Sequence, residues 1–252
     1  MHTLFVLGVP VAGGGLEDAI VARARRVGLA HIVQPRSYLP QRALFGQNNG
    51  LLILSRFPFA YGSAVESTHV STFSHVSWEG MITRKGLAWA AVNVRGAIVH
   101  VFTCHLDAYK GATRAAQIGE LRALMLQRAP NVMKQAPLPE AKTAEAKGDA
   151  KGGAGHDGAQ HAKAAPAAAA PLTEHAITLG DFNIYPQQRE HGVLTRALAP
   201  LRCAARSWVD YIFVSPGLAA TKEAILEAYV ERKAAGGGDG DGEAKDGEQH
   251  WC

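Results

Sequence analysis

The feature that most constrains this chain is a short apolar run that ends in a glycine, an acid and an amide. Residues 176–179 read as a buried strand, and Gly180, Asp181, Phe182 and Asn183 follow directly. When a buried strand ends at a glycine, the polar side chains that follow it lie at the edge of the sheet. Side chains two residues apart in an extended chain point the same way. The sequence therefore predicts that Asp181 and Asn183 face one ligand.

The chemistry of this pair suits a phosphodiester. A carboxylate can orient a water molecule or bind a metal ion, and a neutral amide can donate a hydrogen bond to a phosphate oxygen. A simple Asx turn after a strand is the structural alternative, because Asp and Asn side chains often bond to the backbone there.

Further blocks occur along the chain in a fixed order. Residues 48–58 read Asn-Asn-Gly-Leu-Leu-Ile-Leu-Ser-Arg-Phe-Pro, a buried strand that enters a proline turn. Residues 99–106 form a second strand with His105 near its end, Arg114 and Gln117 open a helix, and residues 210–214 read Asp-Tyr-Ile-Phe-Val. Together the blocks resemble the endonuclease/exonuclease/phosphatase superfamily, most closely its neutral-sphingomyelinase-like branch.

The resemblance implies an α/β fold, a four-layer α/β/β/α sandwich in which two packed mixed sheets are flanked by helices. The alternation of strand and helix patterns agrees with it. We expect this domain to span residues 1–232, although it is incomplete relative to the family. Residues 135–171 are rich in Ala, Lys, Gly and Pro and read as a disordered insert, and residues 233–252 read as a low-complexity tail.

The resemblance also implies roles for individual residues. His105, Asp181, Asn183 and Asp210 are the expected catalytic residues, and Asp181 and Asn183 the expected ligands of Mg²⁺. His105 would donate to a phosphate oxygen or help to protonate the leaving group, a task that suits a side chain titrating near neutrality. Asp181 would orient or deprotonate the attacking water. In the family an acid at the position of Asp210 orients a catalytic histidine.

Three more polar residues are candidates for substrate binding. Arg114 and Gln117 lie on one helix face, where a solvated face is an equally good interpretation. Asn49 begins the strand in residues 48–58, where similar proteins place a polar residue that steadies the histidine corresponding to His105.

Two parts of the family pattern do not occur here. The family has an early strand that ends in Gln-Glu, whose glutamate binds magnesium, whereas the first strand here contains no acid. The family also closes with Ser-Asp-His, and this sequence contains no Asp-His pair. A fragment of a longer enzyme is the favoured interpretation, and a degenerate member is the alternative. In either case we expect little or no hydrolytic activity from the chain as given.

The substrate that the resemblance implies is sphingomyelin, cleaved to ceramide and phosphocholine. Nucleic acid or an inositol phosphate is an alternative within the same fold, and a catalytically dead phosphate-binding module is an alternative of another class. Phe73, Trp78 and Met81 lie between strands and are candidates for a loop that docks on a membrane.

The composition narrows the range of partners that we expect for this chain. The chain has 252 residues, a net charge of +4 and no block of Lys and Arg with interleaved aromatics, so nucleic acid is less favoured than a phospholipid. No signal peptide or membrane-spanning run is recognisable, and the 3 cysteines indicate no disulfide framework. We expect a monomer that is cytoplasmic or makes peripheral membrane contact.

Local patterns predict the main elements. Strands are expected at residues 3–9, 51–55, 87–94, 97–103, 176–179 and 211–214. Helices are expected at residues 16–27, with Gly28 as the stop, and from an N-cap at Thr113 onward. A two-residue turn at Arg95 and Gly96 should join the third and fourth of these strands as a hairpin.

Overall fold

The computed structural model describes residues 4–8, 14–34, 49–78, 84–135 and 173–218. The predicted insert at residues 135–171, apart from its first residue, and the predicted tail at residues 233–252 lie outside the described residues. Both boundaries therefore remain predictions from composition.

A small sheet contains three strands, β1 (Leu4–Gly8), β2 (His31–Val33) and β3 (Leu51–Ser55). The order is β1-β3-β2, and β3 pairs with both neighbours in antiparallel fashion. Every residue of β3 is buried, because its two faces are covered by different layers of the protein.

A larger sheet contains six strands in the order β4-β5-β6-β7-β9-β8. The strands β6 and β7 pair in parallel, and the other neighbours pair in antiparallel fashion. The bounds are β4 Thr68–Thr72, β5 Gly86–Val94, β6 Ala97–His105, β7 Glu174–Asp181, β8 Arg202–Ser207 and β9 Asp210–Val214.

Strand β5 shows why the two sheets pack face to face. Its side chains alternate between the two faces of the larger sheet, and both faces are buried. The side chains that pack toward the helices are Leu87, Trp89 and Ala91. The side chains that pack with the small sheet are Ala88, Ala90 and Val92.

Helices form the two outer layers. Helix α1 (Gly14–Arg26) packs Val21 and Ala24 against Leu52 and Leu54, on the outer face of the small sheet. The larger sheet is covered by α3 (Gly111–Arg128), α4 (Pro130–Met133) and α5 (Arg189–Leu198), and a short α2 (Ala64–Ser67) precedes β4. The four-layer α/β/β/α sandwich predicted from the sequence is confirmed.

Most predicted elements are present, with their ends shifted by a few residues. The expected hairpin joins β5 to β6, with positive φ angles at Arg95 (55°) and Gly96 (94°). The prediction of an N-cap at Thr113 is wrong, because α3 begins at Gly111 and Lys110 is its N-cap. The short or polar elements β2, β4, β8, α2, α4 and α5 were not predicted.

Gly180 has a structural role that follows from the contact between β6 and β7. Its φ is +146°, and a Cβ at this position would lie 2.1 Å from the backbone oxygen of Cys104. A glycine is therefore required for β7 to reach the rim of the sheet beside β6.

Two further expectations concern the cysteines and the membrane. Cys104 is a free, buried thiol in β6, and the expectation of no disulfide framework stays a prediction for the chain as a whole. Phe73, an expected membrane-docking candidate, is instead buried in the core, and Met81 lies outside the described residues. Within the described part of the chain, no helix is both long enough and apolar enough to cross a bilayer.

Candidate functional site

Three predicted site residues lie side by side across the larger sheet. His105 ends β6 and is in register with Asp181 of β7, which is in register with Asp210 of β9. Because β9 is antiparallel to β7, the first residue of β9 meets the last residue of β7. The structure therefore brings these three residues together at one end of the larger sheet, and we call this end the site edge.

Asp181 and Asn183 meet through a turn rather than through an extended chain. Asn183 has a φ of +52°, and its backbone N–H donates to Oδ1 of Asp181 at 2.9 Å. Its side-chain Nδ2 donates to the carbonyl oxygen of Leu106 at 2.8 Å. The prediction of extended geometry is therefore wrong and the Asx turn is present, yet both side chains remain at the site edge.

His105 is a buried, neutral imidazole. Its Nε2 lies 2.8 Å from Nζ of Lys85 and 3.6 Å from Oδ2 of Asp181. Burial, and then the positive charge of Lys85, lower the pKa of His105 to about 4. Since an ammonium group can only donate, Nε2 accepts from Lys85 and the ring proton resides on Nδ1, a buried atom without a hydrogen-bond partner.

Lys85 lies at the centre of the site and was not predicted from the sequence. It is only 3% exposed and directly precedes Gly86, the residue of β5 that is in register with His105. A buried ammonium group is costly unless anions or hydrogen bonds surround it. The available signal was a lysine at the start of an otherwise apolar strand.

Asn49 supports β5 from the small sheet. It is buried, its Oδ1 accepts from the backbone of Leu51 at 3.4 Å, and its Nδ2 donates to the carbonyl oxygen of Ser71 at 3.5 Å. A Cβ on Gly86 would lie 2.6 Å from this Nδ2. Asn49 therefore packs against Gly86, the residue that is in register with His105, and supports this part of β5.

A second unpredicted residue, Asp107, organises the loops beside the site. Its buried carboxylate accepts a hydrogen bond from the hydroxyl of Ser77 and from the backbone N–H groups of Tyr109 (3.0 Å) and Lys110 (2.7 Å). Burial disfavours the charged form, but these hydrogen bonds and the charge of Lys85 outweigh burial and lower the pKa of Asp107. Through these hydrogen bonds the carboxylate links the loop before β5, which contains Ser77, to the loop after β6, which contains Tyr109 and Lys110.

Gln117 occupies a structural rather than a substrate-facing position. Its Oε1 accepts from the backbone N–H of Asp107 at 2.8 Å, and its Nε2 donates to the carbonyl oxygen of His75 at 2.8 Å. The side chain is fully buried. The structure therefore places Gln117 in the framework that holds the two loops, away from the position expected of a residue that contacts substrate.

Arg114 holds the same framework to α5. Its guanidinium donates to the carbonyl oxygens of Asp107 (3.3 Å) and Ala108 (3.0 Å) and pairs with Glu190 at 3.0 Å. The side chain is buried. Like Gln117, Arg114 therefore supports the loops beside the site.

Asp210 differs from the other predicted site residues because it is exposed. It lies between Asp181 on β7 and Ser207 on β8 in the register of the sheet. Its expected role is to orient the histidine of the family's Ser-Asp-His motif, and the sequence contains no Asp-His pair. That role remains a prediction.

The described residues contain no cluster of three or more His, Cys, Asp or Glu side chains arranged to hold a metal ion. The oxygen ligands present at the site edge are the carboxylates of Asp181 and Asp210 and the amide oxygen of Asn183.

The profile of the endonuclease/exonuclease/phosphatase family matches residues 13–239, which is most of the chain. A search of curated protein sequences finds no match.

Several solved structures share the fold. Sphingomyelinase C from Streptomyces griseocarneus is 15% identical at a TM-score of 0.53, over 87% of this chain and 73% of that one. A β-hairpin deletion mutant of beta toxin from Staphylococcus aureus is 13% identical at a TM-score of 0.57, over 87% and 75% of the two chains. SmcL is 14% identical at a TM-score of 0.55, over 87% and 72%. At these identities the likeness concerns the fold.

Proposed function

Because the chain belongs to the endonuclease/exonuclease/phosphatase family, we propose that it is a metal-dependent phosphodiesterase of the sphingomyelinase-like branch. The reaction is hydrolysis of sphingomyelin to ceramide and phosphocholine. The observation that carries the proposal is the row of His105, Asp181 and Asp210 on three neighbouring strands, with the ammonium group of Lys85 beside it.

Lys85 is the group that recognises the phosphate in this site. Its ammonium lies within hydrogen-bond distance of His105, whose Nε2 is 3.6 Å from Oδ2 of Asp181, so a phosphate oxygen at the site edge meets a positive charge in a buried setting. His105 is neutral near pH 7 and accepts from Lys85, so it orients the ammonium group. The expectation that His105 donates to a phosphate oxygen or helps to protonate the leaving group stays a prediction.

Asp181 and Asn183 act on the attacking water and on the phosphate. Asp181 is partly exposed, and its carboxylate orients the water that attacks phosphorus in line. The Asn183 amide is fixed by its donation to Leu106, which leaves one N–H donor and the amide oxygen in a constant position beside Asp181. A donor held in this way stabilises developing charge without reorganisation.

Mg²⁺ fits the ligands at the site edge. It prefers oxygen ligands, keeps several waters and is usually held by one or two carboxylates together with substrate phosphate. Asp181, with Asn183 or Asp210, supplies such a set. When bound, the ion supplies charge stabilisation on the phosphate oxygens and a more acidic water.

The choice of sphingomyelin rests on the branch that the sequence motifs resemble and on the fold shared with sphingomyelinase C. A nuclease or an inositol-phosphate phosphatase would use the same site chemistry, because the fold does not set the leaving group. Nucleic acid is less favoured because the sequence has no block of Lys and Arg with interleaved aromatics.

A module that binds phosphate without turnover is the second candidate. The observation in its favour is that β1 reads Leu-Phe-Val-Leu-Gly and has no acid, whereas the family places a metal-binding glutamate on an early strand. Such a module would retain Lys85 and His105 as a phosphate pocket.

A substrate panel separates these functions. The full chain is incubated with Mg²⁺ and, in separate reactions, with sphingomyelin, duplex DNA and an inositol phosphate, and product release is measured against a chelator control. Release of phosphocholine with neither of the other products supports the proposal. Nucleotide or inorganic phosphate release assigns another substrate, and phosphocholine binding without release assigns the non-catalytic module.

A further inference from the structure

Two buried polar atoms of β6 make no hydrogen bond to any described residue. They are the hydroxyl oxygen Oγ1 of Thr103 and the ring nitrogen Nδ1 of His105. The two residues lie two positions apart on the strand, so their side chains point to the same face of the larger sheet. Buried polar groups in folded proteins are almost always hydrogen-bonded, so two such atoms on one face require an explanation.

The register of the sheet shows which layer these atoms occupy. Thr103 is paired with Ala88 of β5, and His105 is paired with Gly86. Ala88 packs with the small sheet, and a Cβ on Gly86 would meet the side chain of Asn49, which precedes β3. The two polar atoms therefore face the layer between the two sheets, on the inner side of the site edge.

The chemistry of the two atoms restricts what they can share. The Nε2 atom of His105 accepts from the ammonium group of Lys85, so the proton of the neutral imidazole is on Nδ1, which can only donate. The hydroxyl of Thr103 can both donate and accept. A group that satisfies both atoms must accept from the imidazole and also exchange a hydrogen bond with the hydroxyl. A metal ion does not meet this requirement, because a ring N–H has no lone pair to offer.

Water has the size and the hydrogen-bonding capacity for this position. Residues two apart on a strand are separated by about 6.6 Å along the chain. One water with two hydrogen bonds of about 2.8 Å joins polar atoms that are up to about 5.6 Å apart. The residues opposite on β5 are Gly86 and Ala88, the two smallest types, so β5 fills little of this part of the layer. Buried waters commonly satisfy polar groups of this kind.

We propose that a buried water molecule bridges Oγ1 of Thr103 and Nδ1 of His105, and that Thr103 is thereby a positioning residue for the site. The water accepts from the imidazole N–H and fixes the plane of the ring, so that Nε2 stays directed at Lys85. Thr103 is fully buried and acts only through His105. Its contribution to catalysis rests on the proposed function, whereas the water site does not.

The substitution Thr103→Val distinguishes this site from a dry one by the sign of its effect on stability. Valine has nearly the shape of threonine and lacks the hydroxyl. If the water is bound, valine removes one of its partners and leaves the N–H of His105 poorly satisfied. The melting temperature of the full chain should then fall by about 2–4 °C or more. If the hydroxyl faces a dry layer, valine replaces an unsatisfied polar group, and the melting temperature should stay the same or rise.

Two further variants complete the series. Thr103→Ser keeps the hydroxyl and loses only a methyl group, so it should retain the water. Thr178→Val is the matched control, because Thr178 is a fully buried threonine of β7 whose hydroxyl donates to Sδ of Met125 at 3.7 Å. Met125 packs among the helices, on the other face of the larger sheet. The control therefore makes the same chemical change away from His105, and circular dichroism verifies that each variant is folded.

NMR of the ¹⁵N-labelled full chain gives a readout that a purely structural role of Thr103 would not change. In the wild type and in Thr103→Ser, the Nδ1 proton of His105 should be observable and should show a cross-peak to a bound water. In Thr103→Val this cross-peak should be lost and the Nδ1 resonance should shift, whereas Thr178→Val should resemble the wild type. A crystal structure of the wild type should show the water within about 2.7–3.2 Å of both atoms.

A melting temperature of Thr103→Val equal to or above that of the wild type overturns the proposal. A lower melting temperature with an unchanged Nδ1 resonance of His105 assigns Thr103 a structural role only, and it overturns the positioning role. Neither measurement contains substrate, whereas the substrate panel tests turnover. Failure of this proposal is therefore distinguishable from failure of the proposed function.

Discussion

The ammonium nitrogen of Lys85 lies 2.8 Å from Nε2 of His105, and both side chains are buried at the end of the larger sheet. The contact fixes the histidine as a neutral acceptor, and in the proposed function the lysine is the charged group that meets a phosphate.

Replacing Lys85 by methionine should raise the pKa of His105 from its value of about 4, because one of the two causes of the depression is removed. Burial remains, so the pKa should stay below 6.5. NMR titration of the ring protons measures it in metal-free buffer. Lys110→Met is the matched control, since Lys110 is exposed and should leave the His105 pKa unchanged.

The free energy of unfolding should fall as the pH drops from about 6.5 through about 4. The unfolded chain protonates His105 at the higher pH and the folded chain only at the lower one, so acid favours unfolding. The full shift corresponds to roughly 3 kcal/mol at about 1.4 kcal/mol per pKa unit. Urea unfolding of the wild type and of His105→Asn across this range measures the difference. Parallel pH profiles for the two proteins would contradict the prediction.

Gly180→Ala should destabilise the protein by more than about 3 kcal/mol or prevent folding. The new methyl group would meet the backbone oxygen of Cys104, and the φ of +146° is unfavourable for alanine. Gly119→Ala is the control, because Gly119 lies within α3 with nothing within 4 Å of the added Cβ. The control should be neutral or more stable by up to about 1 kcal/mol. Thermal melting compares the two, and similar melting temperatures would refute the close contact.

Gln117→Met should cost about 1–3 kcal/mol, because it leaves the backbone N–H of Asp107 and the carbonyl oxygen of His75 without their partner. Gln127→Met makes the same chemical change at an exposed position of α3 and should have little effect. Denaturant unfolding gives both values. If Gln117 contacted substrate without supporting the loops, Gln117→Met would weaken substrate binding and leave stability at the level of the control.

The sequence predicted the layers of the fold because the central strands are apolar and nearly continuous. Residues 51–55, for example, are buried throughout as β3. The strands β4 (Thr-His-Val-Ser-Thr) and β8 (Arg-Cys-Ala-Ala-Arg-Ser) were not predicted, because neither has a regular apolar alternation. Both are edge strands that form through pairing with a neighbour.

The candidate site was predicted in part for a similar reason. Asp181 and His105 end apolar strands, so their place at the rim followed from local sequence. Lys85 and Asp107 could not be placed in the site, because their contacts depend on the register between β5 and β6 and on loops that meet only in the folded chain. The turn at Asn183 was predicted only as an alternative. The local sequence is compatible both with an extended chain and with an Asx turn in which Asn183 has a positive φ.

The rate of the proposed reaction is expected to be low. The described first strand carries no acid and the sequence contains no Asp-His pair, so two groups of the family mechanism are missing. Each loss should cost on the order of a thousandfold in rate. An assay beside sphingomyelinase C measures this, and comparable turnover would show that other residues of this chain supply the missing groups.

The most direct test of the central claim is the initial rate of phosphocholine release from sphingomyelin by the full chain and by Asp181→Asn, purified identically and assayed with Mg²⁺. Asparagine keeps the size of the side chain and removes the charge that orients water and metal. The site described here predicts slow but measurable release by the wild type and a rate at least about a hundredfold lower in the variant. Equal, measurable rates of release by the two proteins would contradict it, and no release by either would assign the chain to the non-catalytic phosphate-binding module.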